Sequence, residues 1–154
     1  MKLPITTLMP QPSKYTLFPT ADGSFSYLNT DYDEAYHSQH GAYAEALHKH
    51  VMATKILDTK VEHIRILDVC FGLGYNSGVA IEKLLELNPH CQIEIVGLEN
   101  DPGIIELIPK LEIPETLSHY RAAHQMLCNP LIKILIGDAR EQIKSLESNY
   151  FDAV

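Results

Sequence analysis

An α/β fold built on a parallel sheet is what the sequence predicts, and three observations carry the prediction. Apolar, strand-like runs at residues 64–69, 93–98 and 131–136 alternate with helix-patterned segments. The first run leads directly into a glycine-rich turn, Gly72-Leu73-Gly74, that opens a helix. Finally, the strands are separated by stretches long enough for crossover connections, which parallel neighbours require and which stack helices on both faces of the sheet.

The elements follow in order. Residues 1–30 combine Pro4, Pro10, Pro12 and Pro19 with the turn signal Ala21-Asp22-Gly23-Ser24 and the alternating run Phe25-Ser26-Tyr27-Leu28, so an irregular arm ending in a small hairpin or strand pair is expected. Tyr43, Ala46, Leu47 and Val51 lie at helical spacing, which predicts one amphipathic helix over 38–57. The strand over 64–69, the glycine turn and a helix over 77–87 come next, with a stop at Asn88-Pro89. After the strand over 93–98, Asp101-Pro102 supplies an N-cap and a first-turn proline for a short helix ended by Pro109, and a helix fits 116–127. The strand over 131–136 precedes Asp138-Ala-Arg-Glu141, which reads as a capping box for a helix to about residue 146. Residues 150–154 read as the start of a fourth strand. The chain thus divides at residue 60 into an N-terminal arm with its helix and, over 61–154, a half domain.

Composition narrows the class. With 154 residues and 45% apolar content the chain is long enough to bury a sizeable core, which excludes intrinsic disorder. No run approaches the roughly 18 apolar residues of a membrane span, and residues 1–5 lack a signal-peptide core, so the expected address is cytoplasmic. Cys70, Cys91 and Cys128 are odd in number and form no C-x-x-C pair, so they read as reduced thiols. A formal charge of −8 with scattered Lys and Arg argues against this segment gripping nucleic acid by itself. Four histidines fall within residues 37–50, but His48 and His50 point to different helix faces, so no metal site is expected.

The segment Ile66-Leu-Asp68-Val-Cys70-Phe-Gly72-Leu-Gly74-Tyr-Asn76 carries the chemistry. A strand that turns tightly into a helix brings backbone N–H groups and the positive helix end to the carboxyl edge of the sheet, where ligands bind. Gly72 and Gly74 allow unusual dihedrals and close approach of a ligand. Asp68 can orient the turn amides or meet a ligand's ammonium through water. Dinucleotide spacing, G-x-G-x-x-G, would need glycine at position 77, which is Ser77. An acidic residue followed by G-x-G-x-G is instead similar to the pattern of class I methyltransferases, with Cys70 in the first glycine slot. Glu99, at the end of the next strand, is placed to accept hydrogen bonds from ribose hydroxyls, or is a solvated loop carboxylate. Asp138, after the third strand, can meet an adenine amino group or simply cap a helix.

Together with Thr20-Ala-Asp22-Gly23-Ser24-Phe25 and Glu34-Ala-Tyr36-His37-Ser38-Gln-His-Gly41-Ala-Tyr43-Ala-Glu45-Ala46, the segment Leu67-Asp-Val-Cys-Phe-Gly-Leu-Gly-Tyr-Asn76 resembles the MnmC-like methyltransferases, also called the DUF752 family. The resemblance runs from about Phe18 to the C-terminus. It implies a class I, Rossmann-like fold, S-adenosylmethionine as cofactor, and tRNA as substrate, with N-methylation of a wobble 5-aminomethyl-2-thiouridine. The cofactor-binding set it implies is Asp68, Cys70, Gly72, Gly74, Asn76, Glu99 and Asp138, joined by Ser24, Tyr36, His37 and Glu45 from the N-terminal segment; Tyr27 is a further contact candidate, and His37 alternatively caps a helix. In this family an acidic residue and an aromatic, proline-bearing loop follow the fourth strand. Phe151-Asp-Ala-Val154 reaches only the start of that strand, so the expectation is a truncated sheet, catalytic residues beyond Val154, Asp152 shaping the sheet, and an unpaired edge open to association. A spermidine-synthase-like aminopropyltransferase and a non-catalytic cofactor-binding remnant are the alternatives.

Overall fold

A computed structural model describes residues 13–58, 62–129 and 132–154. Strands β1 (Tyr15–Pro19), β2 (Phe25–Asn29) and β3 (Glu34–Ala35) form a small antiparallel sheet in the order β1-β2-β3. The expected hairpin therefore gains a third strand, because Asp33 takes a left-handed φ of 52° and turns the chain back so that Ala35 pairs with Leu28. Pro4, Pro10 and Pro12 of the expected arm lie outside the described residues.

The helix expected over 38–57 is shorter and has two geometries. Its α-helical start, α1 (Ala42–Glu45), continues directly into a π-helical stretch, Ala46–Val51. The wide turn, closed by Met52 N–H donating to Leu47 O at 2.9 Å, has a packing reason. Ala46 and Val51 are buried while His50 is exposed, so the five-residue step keeps Val51 on the apolar face that a tighter turn would have given to His50. Lys55, with φ 57°, then breaks the helical path.

The larger sheet is parallel, in the order β4 (His63–Val69), β5 (Gln92–Glu99), β6 (Lys133–Ile136). In register, Val69 lies opposite Leu98 and Glu99 opposite Ile136, so the carboxyl ends of all three strands share one edge. On the free side of β4, Ala153 bridges Ile66 in parallel, and Leu67 N–H donates to Ala153 O at 2.9 Å. Arg65 fastens this segment: its backbone N–H and its guanidinium both donate to the Asp152 carboxylate. The chain thus steps from β4 outward to β6 and returns to the opposite side of β4, which makes the end of β4 a topological switch point.

The helices are α2 (Tyr75–Leu87), α3 (Pro102–Ile105), α4 (Arg121–Leu127) and α5 (Ala139–Gln142). The continuous helix expected over 116–127 instead begins as a 3-10 segment, Glu115–Tyr120, and kinks at Leu117. Its buried residues explain the change: Leu117 and Tyr120 are three apart, as the tighter helix requires, whereas Tyr120, Ala123, His124 and Leu127 follow α-helical spacing. The capping box expected at α5 is half formed. Asp138 accepts from Arg140 N–H, but the Glu141 carboxylate pairs with Lys144 instead of reaching back.

One apolar cluster joins Tyr43, Ala46 and Val51 of the N-terminal segment to Ile64, Ile66 and Ile95 of the sheet and to Leu73, Val79 and Tyr120, so the segments divided at residue 60 share a core. A smaller cluster on the other face holds Leu67, Val96 and Leu98 under Leu135, Ala139, Leu146 and Phe151. Cys70, Cys91 and Cys128 are free thiols. Among the described residues no helix is long and apolar enough to cross a membrane.

Candidate cofactor crevice

The turn after β4 is built from three left-handed residues, Cys70 (φ 63°), Gly72 (φ 56°) and Gly74 (φ 74°). This is why glycine suits all three slots: a Cβ in this region costs about 1–2 kcal/mol, a strain that Cys70 bears. Phe71, between them, folds back beneath the turn, its N–H donating to Leu98 O at 2.9 Å. Its ring occupies the space a side chain at Gly97 would need, since a Cβ there would lie 2.9 Å from the Phe71 Cγ. Gly74 caps α2 and abuts Phe71 and Leu127.

Glu99 connects the turn to the next strand. Its Oε2 accepts from Gly72 N–H at 2.8 Å, and its Oε1 accepts from Asn100 and Asp101 N–H, each at 2.8 Å. The buried carboxylate thus engages three amides and retains one of about four acceptor positions. It is a fixed part of the site, not the solvated loop carboxylate considered from sequence.

Two chambers meet at this junction. One, of about 590 Å³, is lined by Tyr36, His37, Ser38, Glu45, His50, Cys70, Gly72, Asn76 and Glu99, among others. The second, of about 580 Å³, lies between the N-terminal sheet and the loop after β5, where Lys14, Asn29, Tyr32, Asn100 and Asp101 form its walls. Ala35, Tyr36, Cys70 and Glu99 belong to both. Either volume is in the range of a small-molecule site. A smaller cavity of about 140 Å³ at the free side of β4 shares His50, Val69 and Asn76 with the first chamber and contains Asp68 and Ala153.

The structure therefore gathers Tyr36, His37, Glu45, Cys70, Gly72, Asn76 and Glu99 around one chamber and separates the other expected residues from it. Asp68 is buried, its Oδ2 accepts from the Ser77 hydroxyl at 2.6 Å, and burial pushes its pKa up to about 6. Its observed task is to pin the start of α2, not to orient the turn amides. Asp138 caps α5 and is ion-paired to Arg140, which holds its pKa down at about 2; it lines neither chamber. Ser24 is fully buried: its hydroxyl accepts from Ala42 N–H at 3.0 Å and donates to Asp22 Oδ1, so it caps α1 and lines neither chamber. Asp22 completes that cap by accepting from Ala44 N–H at 2.8 Å, and Gly41 leaves the room, since a Cβ there would lie 2.8 Å from Asp22 Cβ. The hairpin tip thus supplies the helix's missing N-cap. Tyr27 packs edge-on against Tyr15.

His37 caps no helix; its Nδ1 pairs with the Ser26 hydroxyl at 3.0 Å, its ring meets Tyr75 edge-on, and burial lowers its pKa to about 4, leaving it neutral at pH 7. Glu45 accepts from Ser38 N–H and from Lys49 Nζ, both at 2.8 Å, and these partners hold its carboxyl below the usual range against the opposing effect of burial. Asp101, read from sequence only as an N-cap, performs that task through Gly103 N–H and also accepts from Lys14 Nζ (2.9 Å), Tyr15 OH (2.7 Å) and Tyr36 OH (3.2 Å). It fastens the N-terminal sheet over the crevice. No local pattern marks this role, because Tyr15 and Asp101 lie 86 residues apart in sequence. Gly78 is the other residue not singled out from sequence: one position beyond the empty glycine slot at Ser77, it lets Tyr120 pack against α2.

A parallel sheet with a strand-order reversal, a left-handed turn feeding a helix and an acidic residue ending the next strand define a Rossmann-like α/β fold. The solved structure of MnmC2 from Aquifex aeolicus superposes with a TM-score of 0.77 at 38% identity, over 90% of this chain and 47% of that one. This chain has the MnmC methyltransferase-like fold. An uncharacterized protein of Methanocaldococcus jannaschii, MJ0670, is 26% identical over 89% of this chain and 40% of the relative. The chain spans less than half the length of either protein. No family model matches it.

Proposed function

We propose that this chain forms the cofactor-binding part of an S-adenosylmethionine-dependent methyltransferase that modifies tRNA in the cytoplasm, its acceptor the amino group of a wobble 5-aminomethyl-2-thiouridine. The observation that carries the reading is the Gly72–Glu99 junction at the switch-point edge, where two nucleoside-sized chambers meet. Likeness to MnmC2 supports it.

The residues present fit such a cofactor. Gly72 leaves the space beside the Tyr36 ring open, for a Cβ on it would stand 3.4 Å from Tyr36 Cδ1 and narrow the passage between chambers. Glu99 offers its remaining acceptor position to a ribose hydroxyl, and the N-terminus of the 13-residue helix α2 favours a carboxylate. Asp138, kept ionised by Arg140, is the candidate partner for an adenine amino group. When bound, the cofactor supplies a methyl group activated by a sulfonium. Tyr36 and His37 are neutral at pH 7 and add no charge of their own beside an amine that must lose its proton before methylation.

Titration calorimetry and thermal unfolding test the cofactor step: S-adenosylmethionine at 100 times its Kd stabilises the chain by about 2.7 kcal/mol. Absence of heat and of any thermal shift at millimolar cofactor overturns the reading. The substrate step is tested with the protein of the full reading frame, incubated with tRNA bearing 5-aminomethyl-2-thiouridine, by weighing the digested nucleosides, where the gain of one methyl group is expected.

A further inference from the structure

We infer that Glu45, not the strand-end Asp68, recognises the α-ammonium of an amino-acid-bearing cofactor. The inference rests on the S-adenosylmethionine reading above and identifies the residue that reads the cofactor's amino-acid end.

An ammonium needs an ionised carboxylate that is accessible from the ligand's chamber and has acceptor positions to spare. Four buried or half-buried carboxylates stand near the crevice. Glu99 already accepts from three amides. Asp101 accepts from Lys14, Tyr15, Tyr36 and Gly103 and lines the other chamber. Asp68 faces the 140 Å³ cavity, among the apolar walls of Ile66, Leu67, Ala80 and Ala153, with its Oδ2 taken by Ser77. That cavity is below the volume of a small-molecule site.

Glu45 meets each requirement. It lines the 590 Å³ chamber beside Gly72 and Asn76, away from the chamber walled by Asn100 and Asp101. Two of its acceptor positions are used, by Ser38 N–H and Lys49 Nζ, and two remain. Lys49 is a weak competitor, since its side chain is 66% exposed and such i,i+4 pairs are screened by water. The carboxylate is also held in place: Ser38 N–H orients it, and Asp22 and Ser24 anchor the first turn of the helix that carries it. The start of α2, carrying Asn76, lines the same chamber. Anion-binding helix end and carboxylate together complement an amino-acid zwitterion.

The test compares S-adenosylhomocysteine, which carries the ammonium, with 5′-methylthioadenosine, which lacks the amino-acid end, by calorimetry on the whole chain. Glu45→Gln is expected to weaken S-adenosylhomocysteine about tenfold or more while leaving 5′-methylthioadenosine unchanged. Asp68→Asn is expected to leave the ratio of the two affinities unaltered. Lys49→Met, which keeps the carboxylate and removes its competitor, is expected to tighten S-adenosylhomocysteine two- to threefold, and it serves where Glu45→Gln does not fold. An unchanged ratio in Glu45→Gln, a collapse of the ratio in Asp68→Asn, or weaker binding in Lys49→Met overturns the inference alone. If the wild-type chain binds neither S-adenosylmethionine nor S-adenosylhomocysteine, the cofactor reading itself fails.

Discussion

Gly78 and Tyr120 form a contact whose energetics can be worked out before measurement. Gly78 lies inside α2, and glycine there costs about 1 kcal/mol relative to alanine. An exposed helical glycine would accordingly be improved by alanine. Here the added Cβ would stand 2.9 Å from Tyr120 Cε2 and Cζ and closer still to the hydroxyl. Tyr120 is fully buried and stacked on Tyr75 at 5.6 Å and 11°, so its ring has no free direction in which to retreat. Overpacking of this kind costs about 1–3 kcal/mol. The clash offsets the gain in helix propensity, and Gly78→Ala should lose up to about 2 kcal/mol net in urea unfolding. The Tyr120 hydroxyl has no hydrogen-bond partner among the described residues, so Tyr120→Phe relieves a buried unsatisfied group and should gain about 1 kcal/mol. It also removes the nearest clashing atom, so Gly78→Ala should cost at least about 0.5 kcal/mol less when combined with Tyr120→Phe, beyond the scatter of independent sites. A stabilised Gly78→Ala variant, or additivity of the two substitutions, would refute this account of the packing.

Other perturbations follow from the same geometry. Cys70→Gly should fold normally, whereas Cys70→Val at φ 63° should lose about 1–2 kcal/mol by chemical denaturation. Gly41→Ala, whose Cβ would press on Asp22, should cost at least about 2 kcal/mol and weaken hydrogen-exchange protection of the Ala42 and Ala44 amides. Glu99→Gln turns an amide nitrogen toward donors that need an acceptor, and a loss of about 2–3 kcal/mol without ligand is expected. Asp68 and His37 make opposing pH contributions. Asp68, raised to about 6, binds protons more tightly folded than unfolded, so its stabilisation is lost as pH rises from about 4 to about 6, by about 3 kcal/mol. His37, lowered to about 4, loses a similar amount, about 3 kcal/mol, as pH falls from about 6.5 to about 4. Asp68→Asn should therefore expose a loss on acidification and His37→Gln a loss on alkalinisation through the same window; parallel profiles for the two variants would contradict both assignments.

The strands are legible in the sequence because each is a short apolar run with a local boundary, and the turn at residues 70–74 because its dihedrals are a property of the turn itself. Glycine at positions 72 and 74 announces a left-handed backbone wherever the turn sits. What stays hidden is long-range. The Thr20-to-Ser24 tip and Gly41 are both visible as parts of one signature, but only the folded chain makes Asp22 the cap of a helix 20 residues downstream. Ser24, which the signature offers to a ligand, therefore serves the backbone. The π-helical turn escapes for a different reason. A period of 3.6 fits Tyr43, Ala46, Leu47 and Val51 closely enough, and the five-residue step from Ala46 to Val51 reads as noise until the burial of both ends is known.

The same distinction governs how the site divides its labour. Acidic residues ending adjacent strands look equivalent in sequence, yet Asp68 and Glu99 diverge because of what the next turn offers each. Asp68 precedes a turn that swings away over Phe71, leaving it the Ser77 hydroxyl and an apolar cavity, so it loses solvent and gains a proton near pH 6. Glu99 precedes Asn100 and Asp101, whose amides point back at it, and Gly72 contributes a third. Three N–H donors provide the hydrogen bonds that a carboxylate needs when it leaves water. Recognition of a positive charge therefore falls to a carboxylate that neither strand carries. Glu45, delivered from the N-terminal helix and held by Ser38, keeps two acceptor positions on the large chamber, where Glu99 has given three of its own to backbone amides and Asp68 faces only the small cavity beside it.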